Sequence, residues 1–264
     1  MPELPEVQTF VNALQPAVGS EIVSADVLDS KLCLDPAALA GQRITSIERR
    51  GKHIVFGLDG LALLVIHLRM SGRLRLERSE PEIPYTRLIL HLDSGEAIYF
   101  VNPRRLGTAR VCRGGFDTDL GVEPLSDTFT TEHLAELASS SRAPIKSLLM
   151  DQRRIAGIGN IYAAEALWRS RVDPRRPSNS LAAKETAALH ESIVGVLTEA
   201  VGQLGTTLGS SVSDYRPTPE EPGTFQNQLY VYDREGETCK RCGSTIERTV
   251  QQGRSTCFCP SCQT

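Results

Sequence analysis

Two sets of residues in this sequence have the types and spacing to do chemistry. The first is the opening hexapeptide Met1-Pro2-Glu3-Leu4-Pro5-Glu6. Met1 before a small residue such as Pro2 is normally trimmed, which would leave proline as the terminus. A terminal proline is a secondary amine less basic than lysine, so a useful fraction is unprotonated at neutral pH. Such an amine can attack an aldehyde-like carbon and form an iminium. Glu3, one peptide bond away, could move protons during that step. The plain alternative is an ordinary capped N-terminal helix. The second set is Cys239-x-x-Cys242 and Cys259-x-x-Cys262. Two such pairs sixteen residues apart specify a tetrahedral four-cysteine zinc site in a β-hairpin ribbon. Four thiolates leave no open coordination position, so this reads as one structural Zn2+ with no catalytic role. Cys257 is expected to alternate away from Cys259 along a strand and stay outside the set. Arg254, five residues before Cys259, falls in the hairpin, where a tip arginine can reach a ligand. Taken alone, such an arginine is more often a surface residue.

Three basic clusters accompany these groups: Arg49-Arg50-Gly51-Lys52-His53, His67-Leu68-Arg69-Met70-Ser71-Gly72-Arg73, and Asn102-Pro103-Arg104-Arg105-Leu106-Gly107. Each alone reads as a solvated surface, but three at the turns of one small β-domain point to a phosphate-binding face. Met70 and Leu106 are apolar residues among arginines, a composition suited to wedging between stacked bases. The turn 152–159 is Gly-rich and carries Arg153 and Arg154. A helix starting just after it, at Asn160, would aim backbone N–H groups and its dipole at an anion. The alternative is a plain helix–turn–helix in a bundle.

These groups need elements to hold them. Pro5 suits a first helical turn, and Val7, Phe10, Val11, Leu14 and Val18 follow at helical spacing. Short β-like runs come next: Glu21–Val27, Arg43–Ile47, His53–Leu58, Leu61–Leu68, Arg73–Leu76, Arg87–Leu92, Ala97–Val101 and Thr108–Cys112. Gly51, Asp59-Gly60, Gly72, Ser94-Gly95 and Gly107 punctuate them. Many short strands without intervening helices read as a β-sandwich or barrel. From Thr131 the pattern is helical: His133–Ser139, Pro144–Asp151, Asn160–Arg169, and a long core helix to Leu204 that Ser180 could cap. Gln228–Tyr232 alternates like a strand leading into the cysteines. The fold class is therefore α+β and multidomain: an N-terminal helix plus β-sandwich, a helical helix-two-turn-helix domain, and a C-terminal four-cysteine zinc-finger β-hairpin. The expected divisions are 1–121 (catalytic sandwich), 122–130 (linker), 131–224 (helical domain, with a loop at 205–224) and 225–264 (finger).

Length and composition set the outer limits. The 264 residues are 40% hydrophobic, with a net charge of −3 and a pI near 6.0. This argues weakly against a nucleic-acid binder, although a basic face can coexist with an acidic back. No charged-then-apolar leader opens the chain, and no apolar run reaches membrane-spanning length. Seven cysteines, an odd count, fit a reducing cytosol better than a disulfide framework. The expectation is a cytoplasmic, monomeric protein with no membrane partner and no redox or nucleotide cofactor.

Taken together, the ordered motifs resemble the formamidopyrimidine-DNA glycosylase family, which includes endonuclease VIII. The resemblance runs the full length. It rests on Pro2-Glu3-Leu4-Pro5-Glu6-Val7, His67 to Gly72, Asn102 to Gly107, Asp151-Gln152 with Gly157 to Ala163, and the four cysteines. Leu4-Pro5 favours the oxidised-purine branch. The resemblance implies a bacterial, nucleoid-associated base-excision repair enzyme that acts on double-stranded DNA containing oxidised bases and nicks the strand by β,δ-elimination. It implies Pro2 as the Schiff-base nucleophile and Glu3 as proton donor. It further implies Lys52 in β-elimination and Arg254 in δ-elimination. Met70, Arg104 and Leu106 would fill the gap left by a flipped nucleotide. Arg142, Lys146 and Asn160 would contact DNA or its phosphates, and the loop 205–224 would close over the extruded base. Extrusion is needed because a stacked nucleotide cannot be reached at C1′. Three positions depart from the family pattern: Leu106 where Phe is usual, Asn102 where Asp is usual, and Tyr85 where a DNA-contacting His is often found. The rival readings are an endonuclease VIII-like oxidised-pyrimidine glycosylase, a non-catalytic damaged-DNA-binding protein of the same fold, and an N-terminal-proline enzyme acting on small carbonyl compounds.

Overall fold

A computed structural model describes residues 1–78, 83–116, 119–207 and 223–264. The loop expected over 205–224 lies, for residues 208–222, outside the described residues. The chain forms two compact units, Met1–Thr118 with Gln203–Thr224, and Asp119–Gly202 with Phe225–Thr264.

In the first unit, α1 (Leu4–Leu14) is followed by β1 (Ile22–Val27), β2 (Ile44–Arg50), β3 (His53–Leu58), β4 (Ala62–His67), β5 (Arg73–Glu77), β6 (Thr86–Leu92), β7 (Ala97–Val101) and β8 (Thr108–Arg113). They form two four-stranded antiparallel sheets, in the orders β1-β6-β7-β5 and β2-β3-β4-β8. The expected β-sandwich is present. Its core holds the alternating apolar residues of both sheets, such as Ile54, Phe56, Leu64, Ile66, Leu88, Leu90, Ile98 and Phe100, with the stripe Val7, Phe10, Val11 and Leu14 of α1. Burying that stripe ties the chain's first residues to the sandwich, because large apolar side chains each contribute about 1.5–3 kcal/mol when buried. Two side-chain bonds fix α1 to β2: Gln15 Nε2 donates to Ile47 O at 2.9 Å and Arg49 Nε to Gln8 Oε1 at 3.1 Å.

The second unit holds α2 (Thr131–Ser139), α3 (Ile145–Met150), α4 (Asn160–Arg169), α5 (Ala183–Gly202) and the hairpin β9 (Glu247–Gln251) with β10 (Arg254–Phe258). Two sequence expectations fail here. Ser180 does not cap α5: it ends a short 3-10 turn, and its hydroxyl donates to Pro177 O at 2.7 Å. Glu185 serves the helix start instead, accepting from the Ala182 N–H at 2.8 Å while Arg176 holds its other side. Gln228–Tyr232 is not a strand. The backbone N–H groups of Tyr230, Val231 and Tyr232 all donate to the buried Glu165 carboxylate, at 2.9, 3.0 and 2.8 Å. A single carboxylate from α4 thus takes the donors that a neighbouring strand would otherwise satisfy. Among the described residues no helix is long and apolar enough to cross a membrane.

Candidate functional site

Pro2 and Glu3 are buried at the start of α1, with Glu3 at the N-cap and 3% exposed. Glu6, three residues on and 1% exposed, turns its carboxylate back to this point. Its Oε2 accepts from the Glu3 N–H at 2.8 Å, and its Oε1 accepts from the Thr206 N–H, also at 2.8 Å. One side chain therefore fixes the peptide after Pro2 and gathers in the segment after α5. A carboxylate in a first helical turn is favoured by the helix dipole, and at N3 it closes the back-bonded half of a capping box. Gly205 makes the approach possible: at φ +75° it lies so close that a Cβ would sit 2.6 Å from Glu6 Oε1. By sequence pattern Glu6 is a first-turn acid and no more. The Glu3-to-Glu6 spacing was the available signal for its capping role, whereas its bond to Thr206, two hundred residues away, left no local trace.

Lys52 lies in the two-residue turn between β2 and β3, after Gly51 at φ +57°. It is 6% exposed, a low value for a lysine. Arg49 steadies this turn by donating to Gly51 O at 3.1 Å while also bonding Gln8 of α1. The next residue, His53, faces His67 across the β3–β4 ladder, edge to face with ring centroids 4.6 Å apart. Burial pushes the His53 imidazole down to about 4 and the His67 imidazole down to about 3, with nearby arginines and Lys52 adding to the effect. Both rings are therefore neutral at physiological pH. His67 Nδ1 accepts from the Arg69 N–H at 2.9 Å, which leaves its ring proton on Nε2.

The residues expected to form a wedge share this unit. Met70 follows Arg69, which adopts φ +55°, and is 46% exposed. Leu106 is 50% exposed on the turn between β7 and β8. Arg104 meets Met70, its Nη1 lying 3.7 Å from Met70 Sδ. Tyr85, at φ +66° and half exposed, accepts the Asn102 N–H at 2.9 Å, which joins it to the base of the same turn. Asn102 is 1% exposed and its Oδ1 has no hydrogen-bond partner. An ionised aspartate there would be a buried charge, which is costly unless paired.

In the second unit, Gly159 is the N-cap of α4 and no side chain caps it. Gln152 shapes the turn before it, donating to Met150 O and Ile158 O and accepting from the Gly157 N–H. Asn160 opens the helix with a buried, unpartnered Oδ1. Arg142 is exposed between α2 and α3. Lys146 is placed differently from an open-surface cation. It is 1% exposed, and its ammonium donates to Ser255 O at 3.0 Å and Thr256 Oγ1 at 2.7 Å. It therefore anchors α3 to the hairpin. Arg254 is the exposed first residue of β10, paired with Gln251 across Gln252 (φ +49°) and Gly253 (φ +72°). Positive φ at both central residues matches the twist of a tight hairpin, and places Arg254 at its tip.

The sulfurs of Cys239, Cys242, Cys259 and Cys262 lie within 4.8 Å of one another. Separations of 3.9 Å (Cys239–Cys262) and 3.5 Å (Cys242–Cys259) bracket the roughly 3.8 Å tetrahedron edge that metal–sulfur bonds of about 2.3 Å require. The donor set fits a closed tetrahedral ion. Cys257 is outside the cluster, but alternation is not the reason, since residues two apart share a strand face. Strand β10 ends at Phe258, and Cys259 begins a turn held by Gln263, which accepts the Cys259 N–H at 2.8 Å. Trp168 of α4 backs the cluster, stacked on Tyr230 at 4.1 Å and under Arg241 at 3.8 Å.

Three family models match the chain in order: the formamidopyrimidine-DNA glycosylase N-terminal domain over residues 1–109, the formamidopyrimidine-DNA glycosylase H2TH domain over 120–211, and the zinc finger found in FPG and IleRS over 236–264. A formamidopyrimidine-DNA glycosylase of Roseiflexus sp. is 45% identical over 276 residues, covering 100% of both chains. The crystal structure of MutM (Fpg) from Thermus thermophilus superposes with a TM-score of 0.89 at 43% identity, over 99% of this chain and 98% of that one. A Lactococcus lactis Fpg solved in complex with DNA containing an abasic site gives a TM-score of 0.88 at 30% identity, over 99% of each chain.

Proposed function

Because the chain belongs to the formamidopyrimidine-DNA glycosylase family, we propose that it excises oxidised purines from duplex DNA through a Pro2 Schiff base and then cleaves the strand by β,δ-elimination. The observation that carries this reading is the buried start of α1, where Glu6 holds the Glu3 N–H and so fixes the residue that follows the amine. An amine that attacks one carbon must be placed to within a fraction of an ångström, and a mobile terminus would not do this.

In this reading, removal of Met1 frees the Pro2 nitrogen. Its lone pair bonds to C1′ of the extruded nucleotide as the glycosidic bond breaks, and the departing base takes a proton delivered by way of Glu3. The C1′–O4′ bond then breaks, O4′ taking a proton as the sugar ring opens, and the iminium so formed on C1′ acidifies C2′. Loss of that proton expels the 3′ phosphate, and a second elimination expels the 5′ phosphate. Lys52 is assigned to the first elimination and Arg254 to the second. Met70, Arg104 and Leu106 fill the gap in the stack, which offsets an extrusion cost of roughly a few kcal/mol. Arg142, Asn160, Tyr85 and Lys146 are assigned to holding the DNA backbone, Lys146 through the hairpin it anchors. The four cysteines would hold one zinc ion, which supplies folding energy to the finger and no step of the reaction. The segment 205–224 is assigned to covering the extruded base, and the protein to acting as a monomer in the cytoplasm.

The test is a comparison of base release and strand scission on duplexes carrying one 8-oxoguanine opposite cytosine or one oxidised pyrimidine. The expected result is preferential 8-oxoguanine release with phosphate left on both sides of a one-nucleotide gap. Preference for the pyrimidine would move the enzyme to the endonuclease VIII branch, and binding without release would make it a damaged-DNA-binding protein.

A further inference from the structure

The turn bearing Arg104 and Leu106 has a conformational problem. Arg105, between them, adopts φ +52°, a left-handed conformation that is unfavourable for a non-glycine residue. Something must hold it there, because the direction of Arg105's backbone sets where its two neighbours project. The local backbone supplies one bond, Arg105 N–H to Asn102 O at 3.2 Å. The stronger restraint comes from 76 residues away. Asp29, two residues past the end of β1 and with its side chain 3% exposed, receives Arg105 in a forked pair: Nε to Oδ2 at 2.8 Å and Nη2 to Oδ1 at 2.5 Å. A two-bond guanidinium–carboxylate pair fixes orientation as well as distance.

Asp29 is in turn fixed from two sides. Its Oδ1 accepts the Lys31 N–H at 3.1 Å, and Arg87 of β6 lies 3.9 Å from its Oδ2. Arg87 also donates from Nε to Asn102 O at 3.2 Å, so it binds both the buried carboxylate and the root of the turn. Asp29 is buried and the Arg87 side chain is largely covered, whereas Met70, Arg104 and Leu106 are exposed. Asn102 is neutral, and its buried amide oxygen has no partner. The acidic group serving this turn is therefore not within the turn but on the segment after β1.

We infer that Asp29 is a positioning residue for base extrusion, clamping Arg105 so that Arg104 and Leu106 project together into the DNA stack. This rests on the assignment of Met70, Arg104 and Leu106 as the wedge. Asp29 acts through Arg105 and touches no reacting atom. Its contribution should therefore appear only where the stack resists opening.

The experiment measures single-turnover excision of 8-oxoguanine by the full chain in two contexts, a stable matched duplex and one whose flanking pairs are mismatched. The variants are Asp29→Asn, Arg105→Gln, the double variant, and Leu106→Ala as a control for the wedge. Asparagine can still cap the Lys31 turn, so Asp29→Asn isolates the loss of the paired carboxylate. The expected result is about tenfold slower excision from the stable duplex, with an effect within about twofold in the mismatched one. In the Arg105→Gln background Asp29→Asn should add nothing, because the contact it removes is already gone. If Asp29→Asn yields too little folded protein, Arg105→Gln, whose side chain is 43% exposed, carries the same contrast between contexts. Equal slowing in both contexts, or full additivity with Arg105→Gln, overturns the inference. So does an unchanged Asp29→Asn rate when Leu106→Ala is slowed in the stable duplex. If Leu106→Ala itself shows no dependence on context, the wedge assignment has failed and the inference falls with it.

Discussion

Replacing Glu6 by glutamine tests whether the start of α1 is held in place for chemistry. The two bonds from the Glu3 and Thr206 N–H groups, each 2.8 Å, end on opposite oxygens of one buried carboxylate. Hydrogen bonds to a charged group contribute about 1.5–3 kcal/mol each. Glutamine keeps one oxygen, so one bond survives in weakened form, and its NH2 faces the other donor. The net loss is about 2 kcal/mol. Helix α1 itself should persist, because Leu4, Val7, Phe10, Val11 and Leu14 stay buried in the sandwich. The loosening is thus confined to the turn that carries Pro2 and Glu3. In thermal unfolding this corresponds to a drop of about 4–8 °C. If the same energy is lost from the positioning of the amine, the rate of Schiff-base formation falls by about thirtyfold. Gly205→Ala perturbs the carboxylate from the other side, since its Cβ would sit 2.6 Å from Glu6 Oε1, and should show the same pairing of effects. Borohydride trapping under single turnover, alongside calorimetry, reads both quantities. A Glu6→Gln protein that melts lower but forms the adduct within about twofold of the unmodified rate would refute the reasoning, making Glu6 a purely structural cap.

Three further outcomes follow from the geometry. Chelation, or Cys242→Ser, should remove about 10–16 kcal/mol of apparent binding energy, unfold the finger and weaken DNA binding while the sandwich keeps its own melting transition. The emission of Trp168, the chain's one tryptophan, should shift to the red as its stacking on Tyr230 is lost, and full strand cleavage after verified metal loss would remove the finger from the reaction. His53 and His67 have folded pKa values near 4 and 3, below the unfolded value near 6.5. Between those limits the unfolded chain binds more protons, so stability must fall as pH drops from about 6.5 towards 4, by about 1 kcal/mol per pH unit for His67 and less for the more solvated His53. His67→Gln should flatten the dependence of the urea midpoint on pH, and an unchanged slope would refute the burial argument. Leu106→Phe should speed excision from a stable duplex and Leu106→Ala should slow it, because an aromatic ring adds about 1–3 kcal/mol of stacking on a base; equal effects in mismatched DNA would show that Leu106 acts elsewhere.

What the sequence disclosed depended on whether the cause was local. Short apolar runs bounded by turn residues gave β3 and β7 to the residue, and the run after the Gly-rich turn gave α4, because burial of each segment is written in its own composition, on both faces in β7 and nearly all round in α4. The cysteine spacing disclosed a four-sulfur cluster for the same reason. Where a partner came from far along the chain, local pattern misled or was silent. Gln228–Tyr232 alternates like a strand, yet its N–H groups are claimed by Glu165, more than sixty residues earlier. A near neighbour can mislead as well: Ser180 is a good cap by type, but Glu185 and Arg176, nine residues apart, set where α5 begins. Lys146 gave no sign of its burial, since its partners Ser255 and Thr256 lie on the hairpin. The Asp29–Arg105 clamp and the bond from Thr206 to Glu6 were likewise invisible, because nothing in either segment's own composition requires the other.

The central claim is that the terminal amine of Pro2 forms the covalent link to DNA, and one measurement reaches it directly. The purified protein, its N-terminus first defined by mass, is reacted with a duplex bearing one 8-oxoguanine opposite cytosine in the presence of borohydride, and the adduct is mapped by peptide mass spectrometry. The expected result is a stoichiometric adduct on Pro2 in chains that have lost Met1, and none in chains that retain it, because an acylated proline nitrogen has no lone pair to donate. An adduct on Lys52 or another lysine, or equal trapping by chains retaining Met1, would contradict the account.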